Sequence, residues 1–174
     1  FHILYKEVFK MKDESFERAL YGVSDRIRKV LENLSRTVKA NTEEIRIRVD
    51  LPLALTVSGE TVFIREDSSV SFSLCGGLFY PTAEDITESY YNLCSHSVYA
   101  HGEELSNGFV IMKNGCRAGV CGNITESGIT DITSLNIRIS RQILGAANDI
   151  LKRYSSGGLL IAGPPGSGKT TILR

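Results

Sequence analysis

The sequence predicts an α+β fold: N-terminal helices, a mixed sheet containing a β-hairpin, and then the first strand and phosphate loop of a second fold. Three observations predict it. Apolar residues recur every three to four positions near both ends of the first 154 residues. Between those stretches, several runs alternate apolar with polar residues. The last twelve residues read GPPGSGKTTILR (163–174).

The first stripe comprises Phe16, Leu20, Val23, Ile27, Val30, Leu31 and Leu34, and it predicts helix from Glu14 to Arg36. Gly22-Val23-Ser24-Asp25 is the expected break, with Ser24 or Asp25 capping a second helix. Arg26, Arg28, Lys29 and Arg36 lie on the other side. They read as a solvated face, with a docking surface as the alternative. EIRIRVD (44–50) alternates strictly and predicts a half-buried strand. LALTV (53–57) and TVFIR (61–65), joined at Ser58-Gly59, predict a hairpin, and Val70–Leu74 a further short strand.

Thr82-Ala83-Glu84-Asp85 fits a capping box opening a helix that runs to about Cys94. Ser97–Ala100 adds a helical turn. Asn114-Gly115 lies between two β-patterned runs of GFVIMKNGCRAGVCG (108–122) and predicts a hairpin in which both residues take positive φ. LNIRIS (135–140) is expected to join that sheet, and Ile143–Tyr154 to form a helix. The domains expected are therefore an α+β domain over 11–154, a linker at 155–158, and the start of a phosphate-loop core over 159–174. Residues 1–10 (FHILYKEVFK) lack a small-residue cleavage site and read as upstream sequence rather than a signal peptide.

The 174-residue composition, 42% apolar with 16 Gly and 4 Pro, is that of a globular chain. Zero net charge gives no general attraction to nucleic acid, so no strong nucleic-acid signal is present. A DNA-associated reading rests only on Arg26, Arg28, Lys29, Arg36 and Lys39. Cys75, Cys94, Cys116 and Cys121 have no C-x-x-C spacing and are expected to be reduced, mostly buried thiols.

The chemistry-bearing pattern is G-x-x-x-x-G-K-[ST], met by Gly163, Gly168, Lys169 and Thr170. Gly163, Gly166 and Gly168 allow backbone N–H groups to converge on phosphate without interference from a Cβ. Ser167 lies within the same cradle. Lys169 suits the β- and γ-phosphates of ATP, the Thr170 hydroxyl suits Mg²⁺, and Thr171 is placed for the α-phosphate. LLIA (159–162) predicts a buried parallel strand before the loop. The acid that orders Mg²⁺ and the residue that positions water are expected beyond Arg174. This chain alone is therefore expected neither to hydrolyse ATP nor to bind it tightly.

EIRIRV (44–49), PLAL (52–55), SVYAHGEELSNGFVIMKNGCRAGVCG (97–122), LNIRISR (135–141) and GPPGSGKTTILR (163–174) together resemble the stage III sporulation protein AA family. These are ATPases of endospore-forming bacteria, related to type II and IV secretion and pilus motors. The resemblance implies an N-terminal domain ahead of an α/β recombinase-like ATPase core, assembled as a homo-hexamer. It further implies a cytoplasmic location in the mother cell, peripheral to the membrane. There the motor would power a channel to the forespore, with that channel's membrane proteins as partners. In the related motors, arginines of the N-terminal domain reach the nucleotide, and Arg138 and Arg141 are the candidate nucleotide-sensing positions. Salt bridges on a strand edge are their plainer reading. A non-enzymatic interaction module with a vestigial loop is the alternative function.

Overall fold

The computed structural model describes residues 14–125, 128–140, 147–153, 157–164 and 167–172. The chain divides into two compact units between Ser140 and Arg141.

In the first unit the predicted first stripe forms three helical pieces. Residues 14–19 are helical (α1) and tighten into a 3₁₀ turn at Leu20–Gly22. Helices α2 (Asp25–Glu32) and α3 (Arg36–Asn41) follow. Ser24 caps α2, as the sequence suggests, by accepting the Ile27 N–H. Ser35 caps α3 in the same way through Val38. The stripe survives the break between the first two pieces, because Phe16, Leu20, Val23, Ile27 and Leu31 are all buried.

Seven strands follow: β1 (Thr42–Arg48), β2 (Ala54–Val57), β3 (Glu60–Ile64), β4 (Val70–Ser71), β5 (Phe109–Ile111), β6 (Arg117–Thr125) and β7 (Gly128–Arg138). They form one sheet in the order β4-β3-β2-β1-β7-β6-β5. Every pairing is antiparallel, so the expectation of a mixed sheet is corrected. The reason is topological. A parallel pair needs a crossover between adjacent strands. Here the long connection runs from β4 at one edge to β5 at the other, and carries α4 (Ala83–Leu93) and α5 (Gly102–Ser106) across one face.

The strand register explains the core. Leu55, Ile45, Ile137 and Ala118 stand in one row, and Ile47, Leu135 and Val120 in the next, all buried beneath the helices. Ser58 and Gly59 both take positive φ (51° and 83°), forming the two-residue turn expected there. The second predicted hairpin has a different turn. Gly115 has φ 84° but Asn114 does not enter the positive region. The Gly115 N–H donates to Met112 O, and the Met112 N–H to Cys116 O. Lys113, Asn114 and Gly115 thus make a three-residue loop in which only the last residue is left-handed. The Asn114 side chain instead accepts the Cys116 N–H and donates to Arg18 O.

The helical layer is held by one carboxylate. Asp85, 4% exposed, accepts hydrogen bonds from Ser24 Oγ (2.8 Å), Arg26 Nε (2.9 Å) and Nη2 (2.6 Å), and the Thr82 N–H (2.8 Å). It is therefore the reciprocal half of the Thr82 capping box on α4 and, through Ser24, a support for the cap of α2. The Ser24 N–H donates to the buried Ser89 Oγ, which donates in turn to Asp85 O. Arg26 also stacks over Phe79 at 4.3 Å from the ring centroid. Two helix N-termini, each short of hydrogen-bond acceptors, thus meet at one negative charge.

In the second unit, α6 (Asn148–Arg153) falls inside the helix expected over 143–154, whose residues 143–146 and 154 lie outside the described residues. Leu159–Ala162 does not form the expected buried strand. Leu159 is 47% and Leu160 92% exposed, and neither belongs to a strand. A strand buried on both faces needs hydrogen-bonded neighbours, and the described residues of this unit contain none.

Three outcomes follow from this packing. Burial alone would raise the Asp85 carboxyl, but the bonds from Arg26, Thr82 and Ser24 outweigh it and hold the group below its ordinary range. Its stabilisation is present above the unfolded value of about 3.9 and is lost as pH falls through the lowered folded value. Asp85→Ala is expected to cost about 3 kcal/mol in urea denaturation at pH 7, and to flatten the loss of stability below about pH 4. Gly122 sits where the β6–β7 register shifts, and a Cβ there would lie 2.5 Å from Thr130 O, so Gly122→Ala should destabilise by about 2 kcal/mol. The thiols divide evenly rather than being mostly buried: Cys94 and Cys116 are buried, while Cys75 and Cys121 are exposed. Burial pushes Cys94 up to about 11 and raises Cys116 as well. A thiol-reactive dye at pH 7 should label two cysteines in the folded chain and four in denaturant.

Candidate functional site

The described residues of the phosphate-loop motif, 163–164 and 167–170, lead into a short helix, α7 (Lys169–Ile172). Gly168 takes φ 82°, a left-handed conformation in which a side chain would be strained, and its carbonyl accepts the Ile172 N–H. Gly163 has a different constraint. A Cβ on it would come within 2.7 Å of Ser167 Oγ, so the absence of a side chain lets the turn close. The Ser167 N–H donates to Pro164 O at 3.3 Å.

Lys169 folds back over this turn. Its Nζ donates to Gly163 O at 2.7 Å and Pro164 O at 2.6 Å, and lies 3.4 Å from Ser167 Oγ. The ammonium is thus satisfied by the loop's own oxygens, in a position where anionic oxygens could replace them. The structure brings together Gly163, Ser167, Gly168 and Lys169 of the predicted set. Gly166 lies outside the described residues, as do the side chains of Thr170 and Thr171.

Arg138, the first candidate nucleotide-sensing residue, belongs to the other unit. It ends β7, which is an interior strand between β1 and β6 rather than an edge. Its side chain is 70% exposed, with Nε 2.9 Å from Glu44 Oε1 on β1. Glu44 also accepts from Arg46, at 3.2 Å from Nε and 3.0 Å from Nη2. Burial would raise the Glu44 carboxyl, but the two arginines outweigh it and hold it low. Arg141 lies outside the described residues.

Sequence reasoning missed what surrounds Arg138. The register places it directly opposite Arg117 on β6, with Glu44 on its other side. The next row along the same face is Arg46, Asn136, Gly119 and Phe109. The alternation in EIRIRVD, CRAGV and LNIRIS puts Arg46, Arg117 and Arg138 each on the polar phase of its strand. Their meeting depends on the pairing of distant strands, which no local pattern specifies.

The basic residues of the N-terminal helices are largely committed to structure. Arg26 binds Asp85. Arg28 binds Asp25 and the carbonyls of Leu20 and Val23. Lys39 pairs with Glu17 at 2.7 Å. Arg36 is partnered too. Among the described residues no helix is long and apolar enough to cross a membrane.

Comparison with known proteins agrees with the stretches that carry the resemblance. A family model described as "Sporulation stage III, protein AA" matches residues 12–174. The chain is 41% identical over 140 residues to "Stage III sporulation protein AA" of Bacillus subtilis (strain 168), a match covering 76% of this chain and 41% of the relative. It therefore spans about two fifths of the length of the curated relative it matches. No solved structure matches. On the strength of the family match across nearly its whole length, the chain belongs to the stage III sporulation protein AA family.

Proposed function

We propose that this chain is the N-terminal part of an ATP-binding motor ATPase that acts in sporulation, carrying an α+β domain and the phosphate loop of the motor core. The observation that carries this reading is the complete Gly163–Thr170 motif at the entrance to a helix, with Lys169 already drawn over the loop oxygens. In that reading, ATP displaces the carbonyls from Lys169. The backbone from Gly163 to Gly168, including Gly166 and Ser167, surrounds its phosphates. Thr170 holds Mg²⁺ and Thr171 meets the α-phosphate. The core is of the recombinase-like type and assembles as a hexamer. The motor powers a channel between mother cell and forespore, docking on that channel's membrane proteins from the mother-cell cytoplasm. Arg138 and Arg141 report nucleotide state between the domain and the core.

In this reading, turnover needs more of the motor core than the phosphate loop: an acid that orders Mg²⁺ and a group that positions water.

The test compares full-length protein with its Lys169→Ala variant in a steady-state ATPase assay. The expected loss is about 100-fold or more, with unchanged circular dichroism, because the bonds of Lys169 lie within the loop. Full-length protein without ATP turnover, or with turnover indifferent to Lys169→Ala, would favour an interaction module with a vestigial loop.

A further inference from the structure

The open face of the sheet carries a pairing that costs stability unless something compensates it. Arg117 and Arg138 stand directly opposite each other on β6 and β7, and like charges in that position repel. Each has one partial remedy. Arg138 binds Glu44 through Nε, and Arg117 stacks over the Phe109 ring at 3.8 Å from its centroid. Neither guanidinium thereby uses its full set of five donors.

Between them lies a cleft of about 270 Å³, bordered by Arg117, Arg138, Phe109, Asn136 and Gly119. Two further features suit it to a ligand. Asn136 lines it with an amide side chain that can both donate and accept hydrogen bonds. Gly119 leaves the floor open with no backbone need for glycine. Its φ is ordinary, and an added Cβ would meet nothing closer than Asn136 O at 3.9 Å. A side chain there would fill the cleft without disturbing the strand.

We propose that this cleft binds a small phosphate monoester bearing a hydroxyl group, such as a sugar phosphate or a nucleoside monophosphate. The phosphate bridges Arg117 and Arg138, cancelling their repulsion, and a ligand hydroxyl meets the Asn136 amide at the border of the cleft. A phosphate dianion suits two facing guanidiniums better than a single carboxylate does. The residues that line the cleft all belong to the first unit.

The test is calorimetric titration of the 174-residue chain at low salt with ribose 5-phosphate, a nucleoside 5′-monophosphate, inorganic phosphate and succinate. One saturable site is expected for the two esters, with inorganic phosphate weaker and succinate at least about tenfold weaker. Tighter binding of the nucleoside monophosphate would identify a nucleotide as the source, and equal binding a sugar phosphate. Arg117→Ala should weaken binding about tenfold or more, and Gly119→Val should abolish it while leaving the thermal transition in place. Lys169→Ala should bind like the parent chain. The proposal is overturned if neither ester saturates, if succinate binds equally well, or if Gly119→Val binds like the parent. Loss of binding in Lys169→Ala would assign the ligand to the phosphate loop and also overturn it.

Discussion

The buried Asp85 carboxylate is the constraint on which the helical layer depends. It sits where α2 and α4 begin and supplies acceptors that both N-termini need. Its charge is matched by Arg26, whose guanidinium also covers Phe79. A carboxylate this buried would be costly if left unpaired. Surrounded by Ser24, Arg26 and Thr82 it becomes directional, because Ser24 and Arg26 can reach it only when α2 and α4 are correctly placed. The apolar stripe supplies the driving force for burial, and Asp85 fixes where the stripe lands.

That arrangement has a consequence for the sheet. The helices of the first unit cover the face lined by Leu55, Ile45, Ile137 and Ala118, so the opposite face can carry charge. Glu44, Arg46, Arg117 and Arg138 lie there in adjacent rows, three cations to one anion. A sheet with one apolar and one charged face is ordinary for antiparallel strands. Two arginines in direct register are not, and departures from local pairing rules concentrate at functional positions. The loop around Lys169 and the arginine row differ chemically. The first is built from backbone atoms around one ammonium, and the second from side chains on rigid strands.

Much of this was legible in the sequence wherever one segment contains its own explanation. Thr82 and Asp85 lie three residues apart, so the α4 capping box could be read directly. Ser58-Gly59 marked its turn, and the strict alternation of 44–50 marked β1. What stayed hidden depends on distant partners. Ser24 and Arg26 reach Asp85 across about sixty residues of chain. Arg117 meets Arg138 only once β6 and β7 are in register. Residues 128–134 were missed as strand because GITDITS gives no clear alternation, yet they continue β7 through pairing with β6. Asn114-Gly115 marked the right place but the wrong turn, since Lys113 joins the loop. Leu159–Ala162 has the composition of a buried strand, and among the described residues no strand pairs with it.

The most direct measurement of the central claim is a double-mutant cycle joining Arg26→Ala and Asp85→Ala, read by urea denaturation at pH 7. If the buried carboxylate and Arg26 act as one unit across α2 and α4, the two losses will fall short of additivity by about 1–3 kcal/mol. Additivity within about 0.5 kcal/mol would contradict the account. It would mean that apolar burial alone positions the helices and that the convergence on Asp85 is incidental.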